Sequence, residues 1–301
     1  MSNAALYDQT GAADALYIGE VPDVAPGPGK VTVRVRAAGL NPYDAKVRAG
    51  VIPSKAPFPR RIGGDVAGTV EAVGEGSVYA DGTAIAVGDE VLGRASGAIA
   101  ERVTASARDL ARRPSALPVE VAGSLYVAGL TAVAIVDSVP VGPGDTVLVG
   151  GASGGVGLIA GQLAMSAGAR VIGTASPRNH ALLRSLGMEA VAYGDGLAER
   201  VAAIGTPTAV YDCHGRDALD AGFALGVSPE RMVAIAAGDV PGIQSPGADA
   251  RTAANLAHLA ERVAVGEIIA PVAATFPLDQ VAAAFTALDS AHTPGKIVIL
   301  T

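Results

Sequence analysis

Hydrophobic and polar positions alternate in the first third of the chain. Val31 to Val35 (VTVRV) reads as a half-buried strand, and Val66 to Val73 (VAGTVEAV) and Asp89 to Leu92 (DEVL) repeat the pattern. Short strands broken by Gly and Pro predict a barrel-like β unit. Pro26 to Lys30 (PGPGK) is turn chemistry that leads into the first of these strands.

From about Gly123 the rhythm changes. Thr146 to Val149 is a continuous β-branched and aliphatic run, followed by a Gly-rich turn and a mostly apolar helical stretch from Val156 to Ala167. A strand at Arg170 to Thr174 and a helix from Arg178 to Leu186 come next. Further strands are predicted at Ala190 to Ala192, Ala209 to Tyr211 and Met232 to Ala236, with helical segments between them. Buried strands alternating with helices mean βαβ units and a parallel sheet covered on both faces. A helix from Arg251 to Val265 ends at Gly266, a C-cap signal. Pro241 to Gly247 is a loop. Asp279 to Leu288 reads as helix, and Lys296 to Leu300 (KIVIL) as a final strand. The simplest partition is a first domain of 1–122 plus 268–301, interrupted by a nucleotide-type domain at 123–267.

Composition narrows the class. Half of the 301 residues are hydrophobic, so the chain is not disordered. One Cys rules out a disulfide framework and any zinc site with two or more thiolates. The net charge of −7 gives no basic field for nucleic acid or acidic lipid. No apolar run approaches the roughly 18 residues of a membrane span. No basic start followed by an apolar core opens the chain, so no secretory signal is expected. The expectation is a cytoplasmic protein.

The sharpest motif is Gly150-Gly151-Ala152-Ser153-Gly154-Gly155-Val156-Gly157, between a strand and a helix. Small residues let the backbone approach a pyrophosphate, and a helix N-terminus offers unpaired N–H groups and a positive dipole end. Gly157 would allow tight helix–strand packing. NAD sites place an acidic residue after the second strand, to hold the ribose 2′-OH. Here Ala175-Ser176-Pro177-Arg178 follows instead. Ser176 and Arg178 suit a 2′-phosphate, so the cofactor expected is NADPH.

Four stretches carry a family likeness. They are Gly39 to Gly50 (GLNPYDAKVRAG); Gly63 to Val70 (GGDVAGTV) with Val73-Gly74 and Gly88 to Val91; Ala128 to Ala132 (AGLTA) with Gly144-Asp145 and the glycine loop; and Gly295 to Val298 (GKIV). The chain resembles the medium-chain dehydrogenase/reductase superfamily, in its zinc-independent NADPH:quinone oxidoreductase (zeta-crystallin-like) branch. That implies an α/β fold, with a GroES-like β-barrel domain interrupted by a Rossmann doubly wound parallel-sheet domain and the active site in the cleft between. Zinc-dependent relatives place Cys where Asn41 stands and a His-Glu pair where Gly64-Asp65 stands. Independently of the family, His180, His214, His258 and His292 show no metal-ligand spacing.

Without a metal to polarise a carbonyl, quinones and α,β-unsaturated carbonyls are the substrates expected, because they delocalise the charge that arrives with a hydride. An enoyl reductase acting on acyl thioesters, and an NADPH-binding protein without turnover, are the alternatives. The resemblance puts Asn41 by the nicotinamide, where its amide would orient cofactor or substrate oxygen. Tyr43, Asp44 and Lys46 lie within the same short stretch. Lys46 stands where related quinone oxidoreductases often carry Tyr; it either stabilises an enolate electrostatically or is simply solvated. Asp44 either orients Arg48 or relays a proton, Tyr43 is a candidate proton donor, and solvent is the remaining proton source. By the same resemblance Thr131 sits at the cleft and Tyr193 faces the 2′-phosphate. Ala236 to Gly238 close the fifth strand beside the nicotinamide, whereas Cys213-His214 departs from the small residues usual after the fourth strand, with His214 a candidate to line the adenine pocket. Lys296 reaches the cofactor phosphates or caps the sheet edge. A Cys213–His214 nucleophile would need an orienting third group. The short stretch from Gly93 to Arg102 points to a trimmed lobe and an open cleft. A homodimer is implied by the family.

Overall fold

The structure is a computed structural model, and it describes residues 1–238, 240–290 and 294–301. His292, weighed above for metal spacing, lies outside the described residues. Strands β1 (Ser2–Tyr7), β2 (Tyr17–Val21) and β3 (Lys30–Gly39) precede helix α1 (Pro42–Arg48). Strands β4 (Arg60–Arg61), β5 (Asp65–Val73), β6 (Glu90–Arg94), β7 (Arg102–Ser106) and β8 (Leu110–Arg112) follow. Helices α2 (Val119–Ala122) and α3 (Leu125–Ser138) lead into an alternating series. It runs β9 (Thr146–Gly150), α4 (Gly155–Ser166), β10 (Arg170–Thr174), α5 (His180–Ser185) and β11 (Glu189–Val191). It continues with α6 (Leu197–Ala202), β12 (Ala209–Asp212), α7 (Asp217–Ala224) and β13 (Met232–Ala234). The chain closes with α8 (Ala253–Ala264), β14 (Val272–Pro277), α9 (Val281–Asp289) and β15 (Lys296–Leu300).

The alternating series forms a five-stranded sheet, order β11-β10-β9-β12-β13, with every neighbouring pair parallel. Every residue of β9 is buried, as expected for a strand covered on both faces. The register aligns the carboxyl ends: Val149 lies opposite Gly173 and Tyr211, and Asp212 opposite Gly150 and Ala234. This is the doubly wound arrangement, whose ligand crevice lies outside those ends.

The other large sheet runs β14-β15-β3-β5-β6-β8, with β7 also paired to β3. It is antiparallel except where β14 meets β15. In the first half of β3, Val31, Val33 and Val35 are buried between less buried polar positions, which is the alternation visible in the sequence. A smaller sheet, β2-β1-β4, completes this GroES-like region. The last strand of the chain therefore lies beside β3, and its first residue, Lys296, is brought to the β3–α1 junction.

Helix α3 joins the two regions. Leu125, Ala128, Leu130, Thr131, Ala132, Ala134 and Ile135 are buried around its whole circumference. Its core cluster holds Ala67 and Leu92 of the barrel together with Val147, Val149 and Ile159 of the parallel-sheet region. The sequence pattern predicts no element here, because a helix that is apolar on all sides has no polar face to reveal its period. Several boundaries shift by a residue or more, and two of the shifts fall beside cofactor candidates. The segment expected as a helix from Arg178 begins as a 3₁₀ turn, Pro177–Asn179, before α5. The fifth strand ends at Ala234, so Ala236 and Gly238 lie in the segment beyond it.

Candidate active site

The glycine loop is a cradle made by omission. α4 begins at Gly155 with Gly154 as N-cap, and no side chain caps its free amides. Those N–H groups and the dipole end are what a pyrophosphate needs. Gly157 is required by close approach: a Cβ there would lie 2.4 Å from the Gly151 carbonyl oxygen. The loop is tied to the end of β10 and to the turn after it. The Gly151 amide donates to Thr174 Oγ1 at 3.0 Å, Ala152 N–H donates to the Thr174 carbonyl at 2.9 Å, and Asn179 Nδ2 donates to Ser153 Oγ at 3.1 Å. Residues 150–157 thus fit a dinucleotide pyrophosphate.

The remaining cofactor candidates follow the carboxyl ends of the same sheet. Ser176 and Arg178 come after β10, Tyr193 after β11, His214 after β12, and Ala236 and Gly238 after β13. Arg178, Tyr193 and His214 are exposed there, and no carboxylate stands in 175–178. The Cβ of His214 packs over Gly151, so it borders the loop. Asp212 accepts hydrogen bonds from the amides of His214, Gly215, Ala218 and Leu219, which ties the β12–α7 turn to the sheet. Cys213 has no nucleophile geometry: its Sγ donates to the Tyr211 carbonyl at 3.8 Å. Burial, followed by the Asp212 charge, pushes its thiol well above the usual range.

The second half of the site sits at the end of β3. Asn41 is the N-cap of α1, with Pro42 at its first position, where a missing N–H costs nothing. The Asn41 amide N–H donates to Asp44 Oδ2 at 3.0 Å. Asn41 Nδ2 faces Asp65 Oδ2 at 3.3 Å and the Gly39 carbonyl at 3.5 Å. Asp65 is fully buried, and its Oδ1 accepts from Val127 N–H at 2.8 Å, at the start of α3. Lys296 Nζ donates to the Leu40 carbonyl at 2.7 Å and to Asn41 Oδ1, and lies 3.5 Å from Asp65 Oδ2. Burial, then the nearby Asp65 charge, pushes the Asp44 carboxyl up to about 7, against the pull of Lys296. Burial also raises Asp65, while Lys296 and the Val127 and Asn41 donors oppose it.

Two roles expected from sequence need correction. Asp44 does not orient Arg48: its partner is the Asn41 backbone N–H, and Arg48 Nη2 pairs with Asp289 at 2.9 Å. Lys296 caps no sheet edge, since β15 lies between β14 and β3, and its ammonium is directed at Asn41 and Asp65. The α1 candidates divide by face. Asn41 and Asp44 are buried, whereas Tyr43 is 60% exposed. Lys46 is also exposed and borders an open hollow of about 500 Å³ with Arg48, Val51 and Asp289. Thr131 is buried on α3. Asp65 is a site residue that the sequence pattern does not mark as one. Its signal was a carboxylate following two glycines at the head of a strand.

Among the described residues no three His, Cys, Asp or Glu side chains gather as a metal site requires. The residues around Asn41 do not fit a zinc ion: their centre is filled by a lysine ammonium. No helix among the described residues is long and apolar enough to cross a membrane.

The comparisons agree with this architecture. The Alcohol dehydrogenase GroES-like domain family matches residues 27–115, and the Zinc-binding dehydrogenase family matches 186–299. A mycobacterial quinone oxidoreductase structure is 34% identical with a TM-score of 0.85, each chain covered over 100% of its length. A mycobacterial protein solved in complex with NADPH is 33% identical with a TM-score of 0.88, over 99% of this chain and 100% of that one. The spectinabilin polyketide synthase system protein NorB of Streptomyces orinoci is 32% identical over 96% of this chain, which spans only 14% of that much longer protein. The chain belongs to the medium-chain dehydrogenase/reductase superfamily, in its quinone oxidoreductase branch.

Proposed function

We propose that the protein is a zinc-independent, NADPH-dependent oxidoreductase that reduces a quinone or an α,β-unsaturated carbonyl. The observation that carries this reading is the cradle at the carboxyl edge of the parallel sheet. There an uncapped helix start meets a second-strand end bearing Ser176 and Arg178 and no carboxylate. The NADPH-bound mycobacterial relative supports it. When bound, the nicotinamide supplies the hydride.

The chain's own residues supply position and charge. Residues 152–157 hold the pyrophosphate through backbone amides. Ser176, Arg178 and Tyr193 receive the 2′-phosphate end, and His214 flanks the loop toward the adenine. Asn41, with Ala236 and Gly238 beyond β13 and Thr131 on α3, is assigned to the nicotinamide side. Tyr43 and Lys46, exposed on α1, are the groups that reach solvent and an approaching substrate. Asp44, poised near neutrality, can hold a proton beneath them. An acceptor that delocalises incoming charge suits a site whose fixed cation is a lysine rather than a metal. We take the domains as 1–122 with 268–301 and 123–267, and the working form as a cytoplasmic homodimer.

A second reading, an enoyl reductase acting on acyl thioesters, is favoured by the likeness to the polyketide synthase across 96% of this chain. Absorbance of NADPH at its nicotinamide band, followed with quinones, small enones and enoyl thioesters, separates the two. Turnover with quinones or free enones is the expected result. Turnover confined to thioesters selects the second reading, and tight NADPH binding with no turnover in any arm refutes both.

A further inference from the structure

Lys30, Lys46 and Lys55 are exposed, whereas Lys296 is buried. A buried ammonium is costly unless each of its donors is met. Here three oxygens face it: the Leu40 carbonyl, Asn41 Oδ1 and Asp65 Oδ2. An ammonium has three donors and no acceptor. The contacts therefore set the Asn41 amide in one orientation. Turning it over would press its NH₂ against the ammonium and its oxygen against Asp65 and the Gly39 carbonyl. The stem of the same lysine lies on the glycine loop. A Cβ at Gly155 would sit 2.8 Å from Lys296 Cδ, and Gly295 N–H donates to the Ser153 carbonyl at 3.0 Å. One residue thus joins the head of α4 to the Asn41 amide.

We propose that Lys296 is a positioning residue and a tethered cation, whose ammonium stands among the Leu40, Asn41 and Asp65 oxygens and so fixes Asn41 relative to the cofactor loop. It acts on Asn41, not on the cofactor phosphates. The proposal rests on the hydride-transfer reading only for its activity readout.

Two variants test it. Lys296→Met keeps the stem on Gly155 and removes the charge. Lys296→Ala also opens a space lined by three oxygens. Both are expected to lower kcat at saturating NADPH by about tenfold or more, with the NADPH Kd changed by less than about threefold. Methylammonium chloride should restore part of the Lys296→Ala rate and raise its Tm, where sodium chloride of equal ionic strength does neither. It should do nothing for Lys296→Met, whose space is filled. A large rise in NADPH Kd with kcat intact at saturation would make Lys296 a phosphate ligand and overturn the proposal. Failure of methylammonium to move either the rate or the Tm of Lys296→Ala would overturn it too. If Lys296→Ala does not fold, the split between kcat and Kd in Lys296→Met decides. If the parent protein turns over no acceptor, the functional reading falls, and the Tm response to methylammonium still judges the tethered cation.

Discussion

The glycine loop and the Asn41 cluster meet at Lys296 and are built by different means. In residues 150–157 no charged side chain is present, and the shape comes from missing side chains and from neighbouring backbone. At the end of β3 the chain buries two carboxylates, an amide and an ammonium, and the shape comes from their pairing. A backbone cradle is specified locally, by which residues lack a Cβ. A buried charged cluster is specified globally, because each member is tolerable only while the others are in place.

The largest effect separating these two modes should come from the loop itself. Gly157→Val pushes a Cβ into the Gly151 carbonyl, and backbone cannot step aside cheaply. We expect a loss of about 3 kcal/mol in stability, with cofactor binding lost alongside it. Gly154→Val is the contrast. Its φ of −79° suits any residue, and the nearest atom to a Cβ there is the Gly151 oxygen, at 3.3 Å. Stability should change by no more than about 1 kcal/mol, while NADPH affinity falls by more than about tenfold. Thermal unfolding and a fluorescence titration of both variants check this. Unchanged NADPH affinity in Gly154→Val would show that the loop is not the phosphate cradle.

The same division explains what was legible in the sequence. Arg170–Thr174 and Lys296–Leu300 are legible with the bounds the structure gives, because apolar β-branched runs between turn residues have a local pattern. The loop was legible because glycine spacing is local chemistry. Helix α3 was not legible, since burial on all sides erased its period. Nor were the partners of the charged residues. Asn41 and Lys296 are 255 positions apart, and Arg48 and Asp289 are 241 apart. A single sequence offers no signal that joins such pairs. Chain proximity therefore offers Arg48 as a partner for Asp44, and the family resemblance offers Lys296 only the cofactor phosphates or the sheet edge, whereas the contacts of both residues are set by the fold.

A middle-sized effect tests the outer end of the cradle. If Ser176 and Arg178 read the 2′-phosphate, Arg178→Ala should weaken NADPH by about 10- to 100-fold, the scale of a lost charge-assisted contact. NADH, which lacks that phosphate, should change by less than about twofold. Calorimetric titration of both cofactors measures the ratio. An equal loss for the two would remove the 2′-phosphate from this position and leave Arg178 as a residue that orders the Pro177–Asn179 turn.

The smallest effect per step is a slope, and it probes the charged cluster through pH. In the folded protein Asp44 is held near 7, whereas the unfolded chain returns it to its ordinary value of 3.8. Between those values the folded state holds more protons than the unfolded one, so stability falls as pH rises. The contribution is fully present below about pH 4 and is lost as pH climbs through about 7, at no more than about 1.4 kcal/mol per pH unit. Asp65, raised by burial as well, adds a change of the same sign. Asp44→Asn keeps an oxygen that can accept from the Asn41 backbone N–H and removes the proton from the balance. Its stability should therefore vary less between pH 4 and 7 than that of the parent, with the two curves diverging most toward neutrality. Denaturant unfolding at stepped pH gives the slope directly. Parallel curves would mean that the Asp44 charge is already compensated in the fold, and that Lys296 neutralises both carboxylates instead of Asp65 alone.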